Sequence, residues 1–372
     1  MEIEDLKDTI QDCHLNFLIG SGLSMPFLPT LGNIEILLTE LSKNDSLNEN
    51  ERKLIHSSII SKYFTEVILK NRDILKSSIK DDLKGVKTNY FKFLNTINES
   101  LLERKSSLFN KQVNLFTTNI DIFFEKVFDE NEFEYNDGFS GIFSPSFKLS
   151  NFKKSFIKNS LHFENTSEIP VFNLYKVHGS LTWKIENSKV IFSDLANLED
   201  IEIEREKIKD NIIEYDDKSD LQHFIDKLVT ITPASSYDDF LNIYGKLAIV
   251  NPNKDKFKDT TFDLNFYELL RTFSNELEKE NTLLIILGFS LADEHIKKLL
   301  LRAANSNPTL IIKIFAHSED ASKTISQNIY GKDSNPTSKY TNIEIISPTK
   351  GSLYEFKEIN KEFEELLKEI KK

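Results

Sequence analysis

The chain has 372 residues, 39% of them hydrophobic, with 29 Phe against a single Trp, which is enough apolar matter for two or three units or one large domain with insertions. A formal net charge of −12 disfavours non-specific nucleic-acid binding, which needs a basic surface, so no direct nucleic-acid contact is expected of this chain alone. The one cysteine, Cys13, excludes an intrachain disulfide and a four-cysteine zinc site, as fits a reducing cytosol. The acidic start Met1-Glu2-Ile3-Glu4-Asp5 lacks the apolar segment of a signal peptide. The longest strongly apolar run, Leu283 to Phe289, falls far short of the roughly 20 residues that span a bilayer. A soluble cytoplasmic protein without membrane contact is expected.

Six short apolar runs read as strands buried on both faces: Leu15–Ile19, Val113–Thr117, Phe172–Val177, Leu247–Val250, Leu283–Leu287 and Ile311–Phe315. Asn342–Ile346 is a weaker seventh. Most lead through small or polar residues into helical periodicity, which predicts an α/β fold with a parallel sheet and sites at the carboxyl ends of its strands. Between the first two runs, Leu54, Ile55, Ile59, Phe64, Val67 and Ile68, then Tyr90, Phe93, Leu94 and Ile97, recur at helical spacing and predict a helical insertion. Asn131–Glu168 starts as loop, and Glu186–Tyr237 reads as a charged, mobile, peripheral insertion. Tyr354–Lys372 places Phe356, Ile359, Phe363, Leu366, Leu367 and Ile370 on one helical face, for docking on the chain's own core or on a partner.

The first run ends in Gly20-Ser21-Gly22-Leu23-Ser24. Glycines there let backbone N–H groups approach a pyrophosphate, and a following helix N-terminus would add a favourable dipole; a tight strand–helix turn explains them equally. Met25 stands where a dinucleotide fingerprint needs its third glycine, and no GK[ST] follows, so neither a dehydrogenase loop nor a P-loop is expected. The second run ends in Thr117-Thr118-Asn119-Ile120-Asp121, where Thr118 or Asn119 could serve as a helix cap and Asp121 as a first-turn acid. After the third comes His178-Gly179; of the seven histidines only His178 has a glycine beside it at a strand's carboxyl end, and His317 is the weaker candidate. The fifth run leads into Gly288-Phe289-Ser290-Leu291-Ala292-Asp293-Glu294-His295-Ile296, in which Ser290 and Asp293 read as a capping box.

Taken in order, these four segments resemble the sirtuin-like superfamily, whose pattern is a GAG-x-S loop, a TQN-x-D segment, an HG pair and a late G-[TF]-S segment. Leu28-Pro29-Thr30-Leu31-Gly32-Asn33 and Ile249-Val250-Asn251-Pro252-Asn253-Lys254, through Tyr267 to Ile296, are similar to the bacterial anti-phage branch, in particular to sirtuin-like subunits that work beside a HerA-type hexameric ATPase. The resemblance implies a Rossmann-like parallel sheet flanked by helices, carrying a helical insertion module and no zinc ribbon, since the paired CxxC motifs of the deacylases are missing. It implies residues 1–43, 109–185 and 238–350 as a discontinuous NAD-binding domain, 44–108 as the helical insertion, 186–237 as the charged peripheral insertion and 351–372 as a C-terminal helix.

The implied activity is hydrolysis of the nicotinamide–ribose bond of NAD, with NAD as substrate, no metal required, a homo-oligomeric state and an ATPase partner. Gly20, Ser21, Gly22 and Ser24 would hold the pyrophosphate. Ser290, Asn251, Thr118 and Gly288 would contribute to phosphate or ribose binding. Asn119 would donate and accept hydrogen bonds near the ribose and orient the attacking water. Asp121 would orient Asn119 and nicotinamide or stabilise positive charge, and His178 would act as general base. Two departures from the family pattern stand out: Ser21 replaces Ala, and Thr118 replaces the Gln of deacylating sirtuins. Competing readings are an NAD- or ADP-ribose-binding sensor, an ADP-ribosyltransferase or deacylase, and a DNA-processing or nuclease component of an ATPase-containing defence complex.

Overall fold

The computed structural model describes residue 7 and residues 9–30, 32–76, 80–106, 108–187, 189–228, 237–250, 260–331 and 340–372. In chain order the strands are β1 (His14–Ile19), β2 (Gln112–Thr117), β3 (Tyr135–Asn136), β4 (Phe139–Ser140), β5 (Ser146–Phe147), β6 (Phe156–Asn159), β7 (Thr166–Ile169), β8 (Val171–Lys176), β9 (Gly179–Glu186), β10 (Lys189–Phe192), β11 (Leu247–Ile249), β12 (Thr282–Leu287), β13 (Ile311–Phe315) and β14 (Ile343–Ile346). The helices are α1 (Ile34–Lys43), α2 (Glu49–Tyr63), α3 (Asn71–Ile74), α4 (Asp81–Leu102), α5 (Phe123–Glu130), α6 (Asn197–Ile208), α7 (Leu221–Lys227), α8 (Tyr237–Tyr244), α9 (Thr260–Leu277), α10 (Glu294–Ser306), α11 (Glu319–Tyr330) and α12 (Phe356–Ile370).

A seven-stranded, wholly parallel sheet in the order β14-β13-β12-β1-β2-β8-β3 forms the centre, with helices on both faces, as in a Rossmann-like α/β fold. Strand β12 is buried throughout, as a run of Thr-Leu-Leu-Ile-Ile-Leu between two helical layers should be. Six of the seven apolar runs enter this sheet. The exception is Leu247–Val250: β11 pairs antiparallel with β9 in a second sheet of order β11-β9-β10-β5-β4. The true seventh parallel strand is β3, two residues long and not apolar. Asn131–Glu168 is a set of short strands, including the β6–β7 hairpin.

On one face Leu15, Phe17 and Ile19 pack against the helical module 49–102 and against α12, whose Phe363 meets Phe17 and Phe93. The amphipathic C-terminal helix therefore docks on the chain's own core. Helix α2 starts at a capping box in which Asn48 and Glu51 satisfy each other's backbone N–H. The charged segment 197–228 turns its acids and lysines outward and buries Leu198, Ile201, Ile208 and Phe224 in the same core; the Ser58 hydroxyl accepts from the Ile213 N–H at 2.9 Å.

The opposite face carries an unusual polar row. Asn16, Asn114, Asn173 and Asn136 lie in register across β1, β2, β8 and β3, and all are buried. Their amides form a ladder: Asn114 donates to Asn16 at 2.8 Å, Asn173 to Asn114 at 3.2 Å, and Asn136 to Asn173 at 2.9 Å. Asn114 also donates to Glu276 of α9 at 3.1 Å, and that carboxylate pairs with Lys153 and Lys279. Because a slip of one strand would leave these amides unpaired in the interior, the row helps fix register. Asn114→Leu should cost about 2 kcal/mol or more, since it strands the Asn16 carbonyl oxygen. Denaturant unfolding should show a lower midpoint at unchanged slope.

Candidate active site

Strands β12, β1, β2 and β8 are neighbours, and the chain leaves β1 toward β2 on one side while β12 flanks it on the other. Such a switch point opens a crevice at the carboxyl ends. Here it is a cleft of about 280 Å³ whose wall includes Ser21, Ser24, Thr118, Asn119, Asp121, His178, Ser290 and Asp293. The structure thus gathers the site residues expected from four separate strand ends. Asn251 lies outside the described residues. Gly20, Gly22 and Gly288 are not in the wall but behind it.

Those glycines have a packing reason. A Cβ on Gly20 would come within 2.4 Å of the Gly288 carbonyl oxygen, and one on Gly22 within 3.0 Å of the Gly288 Cα. The two loops touch backbone to backbone. Their N–H groups are also committed: Gly20 donates to Leu287, Gly22 to Gly288 and Leu23 to Gly20. The Gly20, Gly22 and Leu23 N–H groups are therefore satisfied within the protein. The helix expected directly after the loop is not there: Ser21–Ser24 forms a single 3-10 turn and α1 begins at Ile34. Ser21 is the exposed side chain of this loop and lines the cleft.

Ser24 is turned inward. Its hydroxyl donates to the Asp121 carboxylate at 2.7 Å and lies 3.0 Å from the Tyr90 hydroxyl. With the serine proton on Asp121, Tyr90 is the donor of the second bond. Burial, reinforced by the Asp121 charge, pushes the Tyr90 phenol well above its ordinary pKa, which keeps it a donor. The other Asp121 oxygen accepts from the Phe123 N–H at 3.2 Å. Ser24 therefore positions Asp121. Beneath, the buried Lys176 ammonium donates to the Asp121 carbonyl and pairs with Glu125, fixing the loop from below.

Asn119 is 4% exposed. Its amide nitrogen donates to the Gly20 carbonyl at 3.1 Å and sits 3.4 Å from both Ser24 Oγ and Tyr90 OH. A backbone carbonyl only accepts, so this contact settles which end of the amide is which. The Asn119 Oδ1 is then buried with no partner among the described residues. A buried unpaired acceptor costs roughly 1–3 kcal/mol, so a native chain retains one only for a reason. Asn119 does not cap α5; its amide donors are spent inside the protein, and the residue lines the cleft.

His178 follows β8 and is held by its own carbonyl, which accepts from the Val250 N–H at 2.9 Å. Its Nε2 lies 3.4 Å from Asp293 Oδ2. The capping box expected of Ser290 and Asp293 is not the one observed. The observed N-cap of α10 is Asp293 alone, whose Oδ1 accepts from the His295 and Ile296 N–H groups. The pairing with His178 carries no local sequence signal. Tyr63, Val67 and Glu35 of the cleft wall were likewise missed, because helical spacing marks Val67 only as core and says nothing of Tyr63 or Glu35. The π-helical turn Phe64–Ile68, which carries Val67, is a type of irregularity common at functional sites.

Among the described residues, no group of three or more His, Cys, Asp or Glu side chains is placed to hold a metal ion, and no helix is long and apolar enough to cross a membrane. A comparison with curated proteins returns no significant match. A solved structure described as "Structural Basis for the Mechanism and Regulation of Sir2 Enzymes" is similar over 99% of this chain and 97% of that one, at 10% identity and a TM-score of 0.38. The sequence pattern of the SIR2-like domain matches residues 113–335, more than half of the chain and all of the cleft's later motifs. The chain belongs to the SIR2-like domain family.

Proposed function

We propose that this chain hydrolyses NAD at the nicotinamide–ribose bond, releasing nicotinamide and ADP-ribose. The observation that carries the reading is the convergence of Asn119 and His178 on one cleft, with the Asn119 side-chain oxygen buried and unpartnered among the described residues. An acceptor in that place suits a ribose hydroxyl or the attacking water. The rest of the wall suits a dinucleotide in kind: the exposed hydroxyls of Ser21 and Ser290 for phosphate oxygens, and Phe289 and Leu28 for apolar ring faces.

Water adds to the ribose C1′ as the C1′–N bond breaks. The bonding pair goes to the nicotinamide ring nitrogen, which leaves neutral and needs no general acid. Positive charge develops on the ribose, and the Asp121 carboxylate, held by Ser24 and the Phe123 N–H, faces it. Asn119 accepts a hydrogen bond and orients the nucleophile. The proton that water loses passes to His178, a role worth roughly 10²–10⁴-fold.

The resemblance to the anti-phage branch extends this reading to an effector that depletes NAD, homo-oligomeric and working beside a HerA-type ATPase. The test is nicotinamide release from NAD by the purified chain, alone and with that ATPase, with products separated by chromatography. Equimolar nicotinamide and ADP-ribose are expected. Tight NAD binding without products in either setting would point to a sensor, and label transferred to protein would point to a transferase.

A further inference from the structure

We propose that Asp293 is the positioning residue of His178: its carboxylate holds the imidazole proton on Nε2 and so leaves Nδ1 as the atom that accepts the proton from water. The inference rests on the reading of His178 as the proton acceptor of an NAD-cleaving site.

The geometry divides the two carboxylate oxygens between two tasks. Oδ1 accepts from His295 N at 2.9 Å and Ile296 N at 3.1 Å, which fixes the side chain at the start of α10. That helix is 13 residues long, and its dipole favours negative charge at this end. Oδ2 is thereby aimed at His178 Nε2, 3.4 Å away, with the two side chains 10% and 21% exposed. The 3.4 Å separation is an ion-pair distance rather than a formed hydrogen bond; a carboxylate only accepts, so a bond made as the two side chains close up takes its proton from Nε2. Orientation of a histidine base by a carboxylate on its other nitrogen is a general device for fixing tautomer and ring plane.

The backbone that delivers Asp293 carries a second observation. Between the end of β12 and Asp293, Gly288 has φ +62° and Leu291 φ +58°. A leucine in the left-handed region costs roughly 1–2 kcal/mol. The chain offsets it by burying the Leu291 side chain completely. A helix cap alone does not call for this detour, since any relaxed turn ending in Asp, Asn or Ser caps a helix. The strained turn brings the capping carboxylate back over the cleft to His178, and strain of this kind collects at functional sites. His178 complements it: its backbone is clamped to Val250 and its ring is left for Asp293 to orient.

Asp293→Asn separates the two tasks. The Asn carbonyl oxygen still caps α10, so the unfolding midpoint should stay within about 2 °C of wild type. The amide NH₂ then faces Nε2 and donates, which drives the neutral imidazole to the opposite tautomer and removes the acceptor at Nδ1. A fall in kcat of about 10–100-fold with little change in KM is expected. Asp293→Ser, which also caps but does not reach His178, should lose kcat without forcing either tautomer. ¹⁵N-histidine spectra, with the His178 signals identified by their loss in His178→Ala, report the tautomer directly. An Nε2–H tautomer in the wild type that inverts in Asp293→Asn supports the proposal. An unchanged tautomer and unchanged kcat in that variant overturn it. If His178→Ala turns over NAD at the wild-type rate, the NAD-cleaving role of His178 fails instead, and the spectra alone then decide whether Asp293 sets the tautomer.

Discussion

Replacing His178 by alanine should lower nicotinamide release at least about 10²-fold, and replacing Asn119 by alanine should do the same, with both proteins still folded. The stability side follows from the contacts. His178 is half-buried and its side chain meets Asp293, which α10 holds independently. Asn119→Ala gives up the bond to the Gly20 carbonyl and the two longer ones to Ser24 and Tyr90 but also removes an acceptor that is unsatisfied among the described residues, so the net cost should stay at about 1–2 kcal/mol. The activity side follows from what each presents to the cleft: one orients the nucleophile, the other takes its proton. Because the two act on the same water, the double variant should be little worse than either single one. Additive losses would mean that they act on different steps. Nicotinamide release and thermal unfolding, measured on the same samples, check both halves.

Gly179→Ala should be among the most disruptive small substitutions in the chain. Gly179 has φ +77°, and a Cβ there would lie 2.0 Å from the Ala248 carbonyl oxygen, 3.0 Å from its carbon and 3.1 Å from the Ile249 Cα. All three are backbone atoms of β11 or its direct neighbours in the ladder, so no side chain can rotate away. Left-handed strain of roughly 1–2 kcal/mol adds to an overpacking cost of roughly 1–3 kcal/mol, or about 3 kcal/mol together. The same shift moves His178, so activity should fall along with stability. Gly85→Ala supplies the opposite sign: it lies within α4, is exposed, and a Cβ meets nothing within 4 Å. That change should stabilise by about 0.4–1 kcal/mol and leave nicotinamide release unchanged. Denaturant unfolding of the pair tests whether the HG glycine is there for chain geometry.

The sheet was legible where burial writes a continuous apolar run, as in Leu283–Leu287 or Val113–Thr117. It was illegible at β3, because Tyr135-Asn136 is two residues long and its place is set by Asn136 meeting Asn173 across the ladder. It was misread at Leu247–Val250, because an apolar run does not say which sheet it joins; β11 is drawn to β9 by the bare backbone of Gly179. The candidate site was legible as motifs at strand ends, since an α/β sheet gathers those ends whatever lies between them. The partners within it were not. Ser24 reads as a loop hydroxyl until Asp121 appears beside it, and Asp293 reads as a helix cap because it is one. Tyr90 carried only helical periodicity, yet its hydroxyl stands beneath Ser24 and Asn119.

The central claim is that the Asn119 acceptor and the His178 imidazole address the same sugar. A crystal structure of the His178→Ala variant soaked with NAD puts it to the test most directly. The nicotinamide ribose should lie in the cleft with a hydroxyl or ordered water within about 3.2 Å of Asn119 Oδ1, and C1′ should face the space left by the missing imidazole. A dinucleotide bound elsewhere, or one whose ribose points away from Asn119 with Oδ1 still unpartnered, would contradict it.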